Sequence, residues 1–598
     1  MMARQAALRI ANCSGFYGDR VSAAREMVEG GPIDVLTGDW LAELTMLLLG
    51  KAVLAGRPGY ARTFLTQVEQ VLPTCLERGI KIVVNAGGLN PAGCAAAARA
   101  LYARLGLRAV VAHIEGDDLL ARLPELSLAG HTFANTDTGQ RLAEAGVTPL
   151  TAHAYLGGLP IANALSAGAD VVITGRVTDA ALVVGPGMWR FGWTGDDLDE
   201  LAGAVVAGHV LECGCQATGG NYAFFDEVPD LASAGFPLAE LSGDGSAVIT
   251  KHPGTGGLVS VGTVTAQLLY EIGGSRYLNP DVTARFDTIR LDQVGPDRVR
   301  VSAVRGEPPP PDLKVALNYA GGYRNSMILA IEGTDVEAKA VIAEETIWSR
   351  VDGGKAAFET ADVELVGADP SLLRITVLDQ DKAKVGRAFS AAVVETGLSS
   401  YPGFYALTPP GDASMYGVYW PTTVPADLIK TRALIGGEPV WAGQARVTPA
   451  PPESSARATS GRAAASSVSP AGTSPTAGPD RNWGGPTRRA PLGLIAGARS
   501  GDKGGNANVG VWVRSEAEYA WLDGYLTAER LASLLPALAE CPVERHRLPN
   551  LLALNFVVIG LLGRGVAAST RLDPQAKALG EELRAALADV PANFLDHR

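Results

Sequence analysis

The chain has 598 residues, a formal net charge of −12, 47% hydrophobic residues and 19% charged ones. That length and apolar content allow several packed domains and exclude a wholly disordered chain. The acidic balance argues against a nucleic-acid partner, whose phosphates select basic surfaces.

From the N-terminus, short apolar runs alternate with Gly-rich turns and helical stretches. Residues 7–11 lead into CSGFYGD, 33–36 into TGDW and an apolar helix over 41–54, and 80–84 into NAGGLNPAG and an Ala-rich helix. Residues 109–113 lead into IEGDD, 150–154 into YLGGLP, and 171–174 into GRVTDAA. Continuous apolar strands, each followed by a helix, predict an α/β fold with a doubly wound, largely parallel sheet. From about residue 254 the pattern changes. Strands are predicted at 258–265, 286–291, 298–304 and 313–319 and a helix at 335–349, which describes a second α+β lobe.

Residues 450–490 are rich in Pro, Ser, Ala and Gly, with Val468 and Trp483 the only large apolar residues. Such a segment buries too little surface to offset its ordering entropy and reads as a flexible linker. Beyond it, strands at 492–498, 509–513 and 552–559 and helices at 528–539 and 574–587 predict a small ferredoxin-like α+β domain. The expected division is therefore 1–253, 254–449, a linker over 450–490, and 491–598. Lys+Arg against Asp+Glu number 35 and 49 before the linker, 5 and 2 within it, and 11 and 12 after it, so the acidity lies in the large N-terminal body.

The six cysteines, at 13, 75, 94, 213, 215 and 541, are too scattered for a disulfide framework, and a cytoplasmic location is expected. No apolar signal core precedes Asn12. The most apolar stretch, 551–562, contains Asn555 and falls short of the roughly 20 residues a membrane span needs, so no membrane association is expected.

Ligands in open α/β sheets bind beyond the carboxyl ends of the strands. Polar residues gather at those positions: Asn12, Ser14 and Asp19; Asp39 and Glu43; Asn85, Gly87, Gly88 and Asn90; Asn135, Thr136 and Asp137; Arg176, Thr178 and Asp179. One such loop is ordinary turn and cap chemistry. Five at one edge favour a site. NAGGLNPAG reads equally as a phosphate-binding helix start or a structural turn, since it lacks the Lys-Ser/Thr of a phosphate loop. Arg176 and Asp179 form either a self-satisfied ion pair or a clamp for a carboxylate or phosphate.

Lys251 and His252 precede a Gly-rich turn and suit an anionic ligand, with His252 either an acid–base group or a structural histidine. Cys213 and Cys215 have CxC spacing without a supporting His pattern, so no metal site is expected. After the linker, GARSGDKGGN places Arg499, Ser500, Asp502 and Lys503 among glycines, as a ligand loop or a domain contact.

These motifs occur in one order: GFYGDR, TGDWLAELTM, NAGGLNP, ITGRVTDAAL, LECGCQATGGN, KHPGTGGLVSVGTVTAQLLYEIG and NYAGGYRNSM, then ARSGDKG, LNFVVIGLLGRGV and LDPQAKALG. The set resembles the acyclic terpene utilisation family, and its tail resembles the small ferredoxin-fold domain often attached to that family. The long linker and Cys215 depart from the family pattern. The resemblance implies a role in degrading acyclic terpenes through branched acyl-CoA thioesters, with coenzyme A entering as part of the substrate.

The resulting expectation is a catabolic enzyme acting on a branched acyl-CoA or related acyl thioester by hydratase- or lyase-type acid–base chemistry. Asp39, Asp137, Asp179 and His252 are the candidate catalytic groups. Glu43, Asn85, Gly87, Gly88, Arg176, Lys251, Arg499, Ser500, Asp502 and Lys503 are the candidate binding groups. A homo-oligomer is compatible with this reading. The alternative is a non-catalytic binding or assembly subunit of an acyl-CoA-processing complex, with the small domain as its contact module.

Overall fold

The structure, a computed structural model, describes residues 6–596 apart from residue 369, residues 445–484 and the side chain at 43. The expected linker therefore lies outside the described residues up to 484. Its last positions do not: Thr487–Pro491 is a strand, paired antiparallel with Leu587–Pro591.

The body is built on an eleven-stranded sheet, counted among the described residues. Its centre is parallel, in the order Leu8–Asn12, Val35–Gly38, Lys81–Val84, Val171–Ile173 and Val111–Glu115. These are the runs whose unbroken apolar character predicts strands buried on both faces. Successive residues confirm the burial. Ile10, Val35, Val83 and Val172 join one apolar cluster, while Ala11, Leu36, Ile82, Val84, Val171 and Ile173 join another. Alternate side chains of a strand point to opposite faces, so the sheet carries a core on each side.

The sheet is mixed rather than largely parallel. Pro237–Leu241, Ala247–Lys251, Arg298–Ser302 and Arg290–Gly295 extend one edge antiparallel, and Lys430–Ile435 and Glu438–Gln444 extend the other.

A second sheet is organised by the long strand Asp312–Ile331, which pairs antiparallel with Ser371–Asp379, Tyr405–Ala406, Ser414–Pro425 and Pro149–Ala154. Thus Pro149–Ala154, expected in the parallel sheet, belongs to the second one. Its polar side chains are satisfied there: Asn318 Nδ2 donates to Thr151 Oγ1 at 3.1 Å. Strands are exchanged in both directions across residue 253. The expected strand at 258–265 is instead the helix Val261–Leu268. Ser260 Oγ accepts the Thr263 N–H at 3.2 Å and Thr263 Oγ1 accepts the Ser260 N–H at 3.0 Å. This reciprocal capping box starts a helix and overrides the β-branched composition that suggested a strand.

The C-terminal domain is a four-stranded antiparallel sheet in the order Gly497–Lys503, Asn506–Trp512, Ala553–Val558 and Val543–Leu548. Glu516–Tyr525, Ala528–Leu534 and Leu579–Ala585 are its main helices, and the domain has its own apolar core. It docks on the body through buried amides. Asn508 Nδ2 donates to Leu269 O at 3.1 Å, Asn508 Oδ1 accepts the Glu271 N–H at 2.8 Å, and Asn555 Nδ2 donates to Ile272 O at 3.3 Å. Asn555, the polar residue inside the most apolar stretch of the sequence, is thus a docking residue. Trp512 adds a stacked contact with Tyr222 of the body, ring centroids 6.1 Å apart.

Candidate functional site

A cavity of about 650 Å³ lies where the parallel sheet, the second sheet and the C-terminal domain meet. The body contributes Asp39, Tyr155, Arg176, Asp179, Glu212, Tyr270, Glu271 and Asn279, the second sheet Lys314 and Tyr419, and the small domain Asp502, Lys503 and Lys577.

Asp39 follows the strand Val35–Gly38 and is held from behind. Asn85, which follows the next strand, donates to Asp39 Oδ1 at 2.5 Å, and the Leu41 N–H donates to the same oxygen at 2.9 Å. Asn85 is fully buried, so it positions Asp39 rather than meeting a ligand. Arg176, 3% exposed, follows the strand Val171–Ile173. Its backbone N–H is fixed by Asp117 Oδ2 at 2.7 Å, and its guanidinium donates to Leu41 O at 2.6 Å and to Asp179 Oδ1 at 3.2 Å. The guanidinium also lies 4.3 Å above the Tyr155 ring, a cation–π contact.

Burial pushes the Asp39 carboxyl well above the usual carboxylate range, and the nearby Asp179 charge pushes it further. Burial also raises Asp179, but Arg176 opposes the rise. Two neighbouring carboxyls with unequal surroundings take different protonation states. Both carboxyls are raised, and Asp179 is bonded directly to Arg176.

On the far wall, Lys577 pairs with Glu271 at 3.2 Å and Asp502 at 3.4 Å, and its ammonium contacts the Tyr270 hydroxyl. Lys503 Nζ donates to Glu271 O at 2.9 Å. Ser500 Oγ donates to Lys577 O at 3.1 Å and accepts the Gly580 N–H at 2.9 Å, which fixes the backbone that carries Lys577. Arg499 stands behind the wall, 4.6 Å from the Tyr270 ring centroid, bonded to Asn221 O at 3.0 Å and to Gln216 Oε1.

Three buried polar atoms on residues lining the cavity, Tyr155 OH, Glu212 Oε2 and Asn279 Nδ2, have no hydrogen-bond partner among the described residues. Buried polar atoms in native proteins are rarely left unpaired, so a ligand or water in the cavity is their natural partner.

Asp19 and Thr178 also line the cavity, and the other expected residues lie elsewhere. Lys251 Nζ donates to Thr255 O at 2.7 Å and pairs with Asp297 at 3.2 Å. His252 is 2.9 Å from Met27 O through Nε2, with its ring against Gly30 and Gly31, and burial lowers its proton affinity. Neither lines the cavity: the strand Ala247–Lys251 runs parallel to Leu8–Asn12 but lies outside Pro237–Leu241, so its carboxyl end is at the same edge of the sheet and to one side of the cavity. Asp137 docks the small domain, accepting the Gly505 N–H at 3.1 Å and Asn506 Nδ2 at 3.2 Å. Gly87 and Gly88 serve packing. A Cβ at Gly87 would meet Thr174 O at 2.4 Å, and Gly88 has φ +52°. The Glu43 side chain lies outside the described residues. No group of three or more His, Cys, Asp and Glu able to hold a metal occurs among the described residues. No described helix is long and apolar enough to cross a membrane.

Tyr155, Glu212, Tyr270, Glu271, Asn279, Lys314 and Lys577 escaped the sequence reading. Glu212 was visible only as a neighbour of the cysteines in LECGC, and Lys577 only in LDPQAKALG.

Fold and cavity together define a mixed α/β protein with a carboxyl- and cation-lined pocket to which a second domain contributes side chains. The chain belongs to the acyclic terpene utilisation family: the model described as "Acyclic terpene utilisation family protein AtuA" matches residues 8–435. The model described as "AtuA ferredoxin-like domain" matches residues 490–587. No curated protein and no solved structure matches the chain.

Proposed function

We propose that this protein is a catabolic enzyme acting on a branched acyl-CoA or related acyl thioester by acid–base chemistry of the hydratase or lyase type. The observation that carries the reading is the Asp39–Asp179 pair beside Arg176 at the cavity wall. A neutral carboxyl and an anionic one, side by side, can donate and accept protons in one reaction. The Arg176 guanidinium and the Tyr155 hydroxyl supply positive charge and a donor for a developing oxyanion. Lys503 and Lys577, from the small domain, suit the phosphates of coenzyme A at the outer wall. Because the small domain contributes cavity residues, its attachment to the body serves the site itself. The reading extends the family relation to terpene utilisation, with coenzyme A carried by the substrate.

The test is a panel of straight and branched acyl-CoA esters followed by thermal shift and by mass spectrometry of the products. Stabilisation by branched esters with gain or loss of water or a fragment supports the reading. Absence of any shift and any product across the panel overturns it.

A further inference from the structure

We propose that Glu212 is the group that takes a proton from, and returns it to, the carbon next to the carbonyl of the bound acyl thioester, and that His209 is its positioning residue. The proposal rests on the acyl-thioester reading for the nature of the ligand, but its geometry is independent of Asp39 and Asp179. Glu212 caps the C-terminal end of the helix Leu198–Leu211. The unpaired carbonyls there make a negative charge unfavourable and favour the protonated carboxyl.

One oxygen, Oε1, is 2.9 Å from His209 Nδ1. The other, Oε2, is buried without a hydrogen-bond partner among the described residues, on a side chain that is 10% exposed and lines the cavity. His209 is 1% exposed and packed between the rings of Tyr277 and Phe286, at centroid distances of 5.1 and 5.6 Å. It cannot swing away, so it fixes which oxygen of Glu212 faces the ligand.

The charged and titratable groups around the pair are Asp179, Glu271, Cys213, Tyr277 and Lys503. Burial pushes Glu212 up to about 7, and Asp179 and Glu271 add to the rise while His209 opposes it. Near neutrality the group can therefore act in both directions.

In the step, the C–H bond next to the thioester carbonyl breaks and an O–H bond forms at Glu212 Oε2. The electron pair moves onto the carbonyl oxygen as an enolate. Return of the proton, or loss of a leaving group from the neighbouring carbon, completes the reaction without an external oxidant or reductant.

The full chain is mixed with isobutyryl-CoA in deuterated buffer, and loss of the proton next to the carbonyl is followed by NMR. Wild type exchanges it. Glu212→Gln keeps the thermal shift given by isobutyryl-CoA but slows exchange at least about 100-fold. His209→Gln retains part of the exchange with its pH midpoint moved upward, since the opposing cation is gone. Exchange by Glu212→Gln at the wild-type rate, or a wild type that binds the ester without exchanging it, overturns the proposal.

Infrared difference spectra of the unliganded protein provide an arm that needs no substrate. A protonated-carboxyl band titrating near pH 7 is expected in wild type and absent in Glu212→Gln. A wild-type-minus-variant spectrum that lacks this band overturns the assignment, because the raised Asp39 and Asp179 carboxyls are present in both proteins. Failure of every CoA ester to bind overturns the acyl-thioester reading instead, and the infrared result then still decides the protonation of Glu212.

Discussion

Asn85 holds Asp39 from behind: its amide donates to Asp39 Oδ1 at 2.5 Å while its carbonyl oxygen accepts the Trp40 N–H at 2.8 Å. One fully buried side chain thus fixes both the candidate acid and the turn that carries it. Asn85→Ala leaves a buried N–H unpaired and frees Asp39. A loss of about 1–3 kcal/mol in stability is expected, together with weaker ligand binding. Urea denaturation and thermal shift with CoA esters measure the two effects separately.

Lys577 reaches the cavity from the small domain, at 3.4 Å from Asp502 and 3.2 Å from Glu271, with its side chain 39% exposed. Its partners are partly solvated, so Lys577→Ala should change stability by less than about 1 kcal/mol. If the ammonium meets coenzyme A phosphates, the same variant should lose about tenfold or more in affinity for CoA esters and little for the matching pantetheine thioesters, which lack the nucleotide phosphates. Titration calorimetry with both series checks the difference.

The domain junction rests on Asn508, which is fully buried and bonded to Leu269 O and the Glu271 N–H. Asn508→Leu removes partners from both backbone groups and inserts an apolar side chain beside Asn555. We expect a loss of about 2–4 kcal/mol and earlier release of the small domain during denaturation. Tryptophan fluorescence reports this through Trp512, which stacks on Tyr222 across the junction.

The parallel core was legible because strands buried on both faces are written as unbroken apolar runs. The loops after 38, 84 and 173 were legible because ligand sites sit at that edge of such sheets. Asp39, Arg176 and Asp179 were found in this way, Asp502 and Lys503 from the Gly-rich segment after the linker, and all five stand at the cavity. Lys251 and His252 misled because local composition does not reveal a strand's place in the sheet order. Their strand runs parallel to Leu8–Asn12 but lies two places along the sheet, outside Pro237–Leu241, so its carboxyl end is at the right edge and to one side of the cavity. Glu212, Glu271 and Lys314 were hidden for a related reason. They come from a helix end, a loop and a second-sheet strand that tertiary packing alone brings together, and no local spacing marks them. The strand Pro149–Ala154 followed the period of its neighbours but found its partner in Asp312–Ile331, more than 150 residues away.

Stability should depend on pH through Glu212 and His209. Glu212 is raised by burial from its ordinary 4.5 to about 7, and His209, despite burial, is raised by its pairing with Glu212. In both cases the folded protein binds protons more tightly than the unfolded chain, so stability falls as pH rises. For Glu212 the window runs from about pH 4.5 to 7, with an upper bound of about 3 kcal/mol. Glu212→Gln should flatten this slope. Urea midpoints of both proteins at pH 5, 6 and 7 test it, and parallel slopes would refute the assigned shift.

The central claim is that Arg176, bonded to Asp179 and acting on the charge of Asp39, makes the cavity an acid–base site for an acyl thioester. The most direct measurement is calorimetric titration of wild type and Arg176→Met with branched acyl-CoA esters, alongside product detection by mass spectrometry. The account predicts binding and turnover by wild type, with affinity lowered at least about tenfold and turnover lost in the variant. Equal binding and turnover by both proteins, or no binding of any ester to wild type, would contradict it.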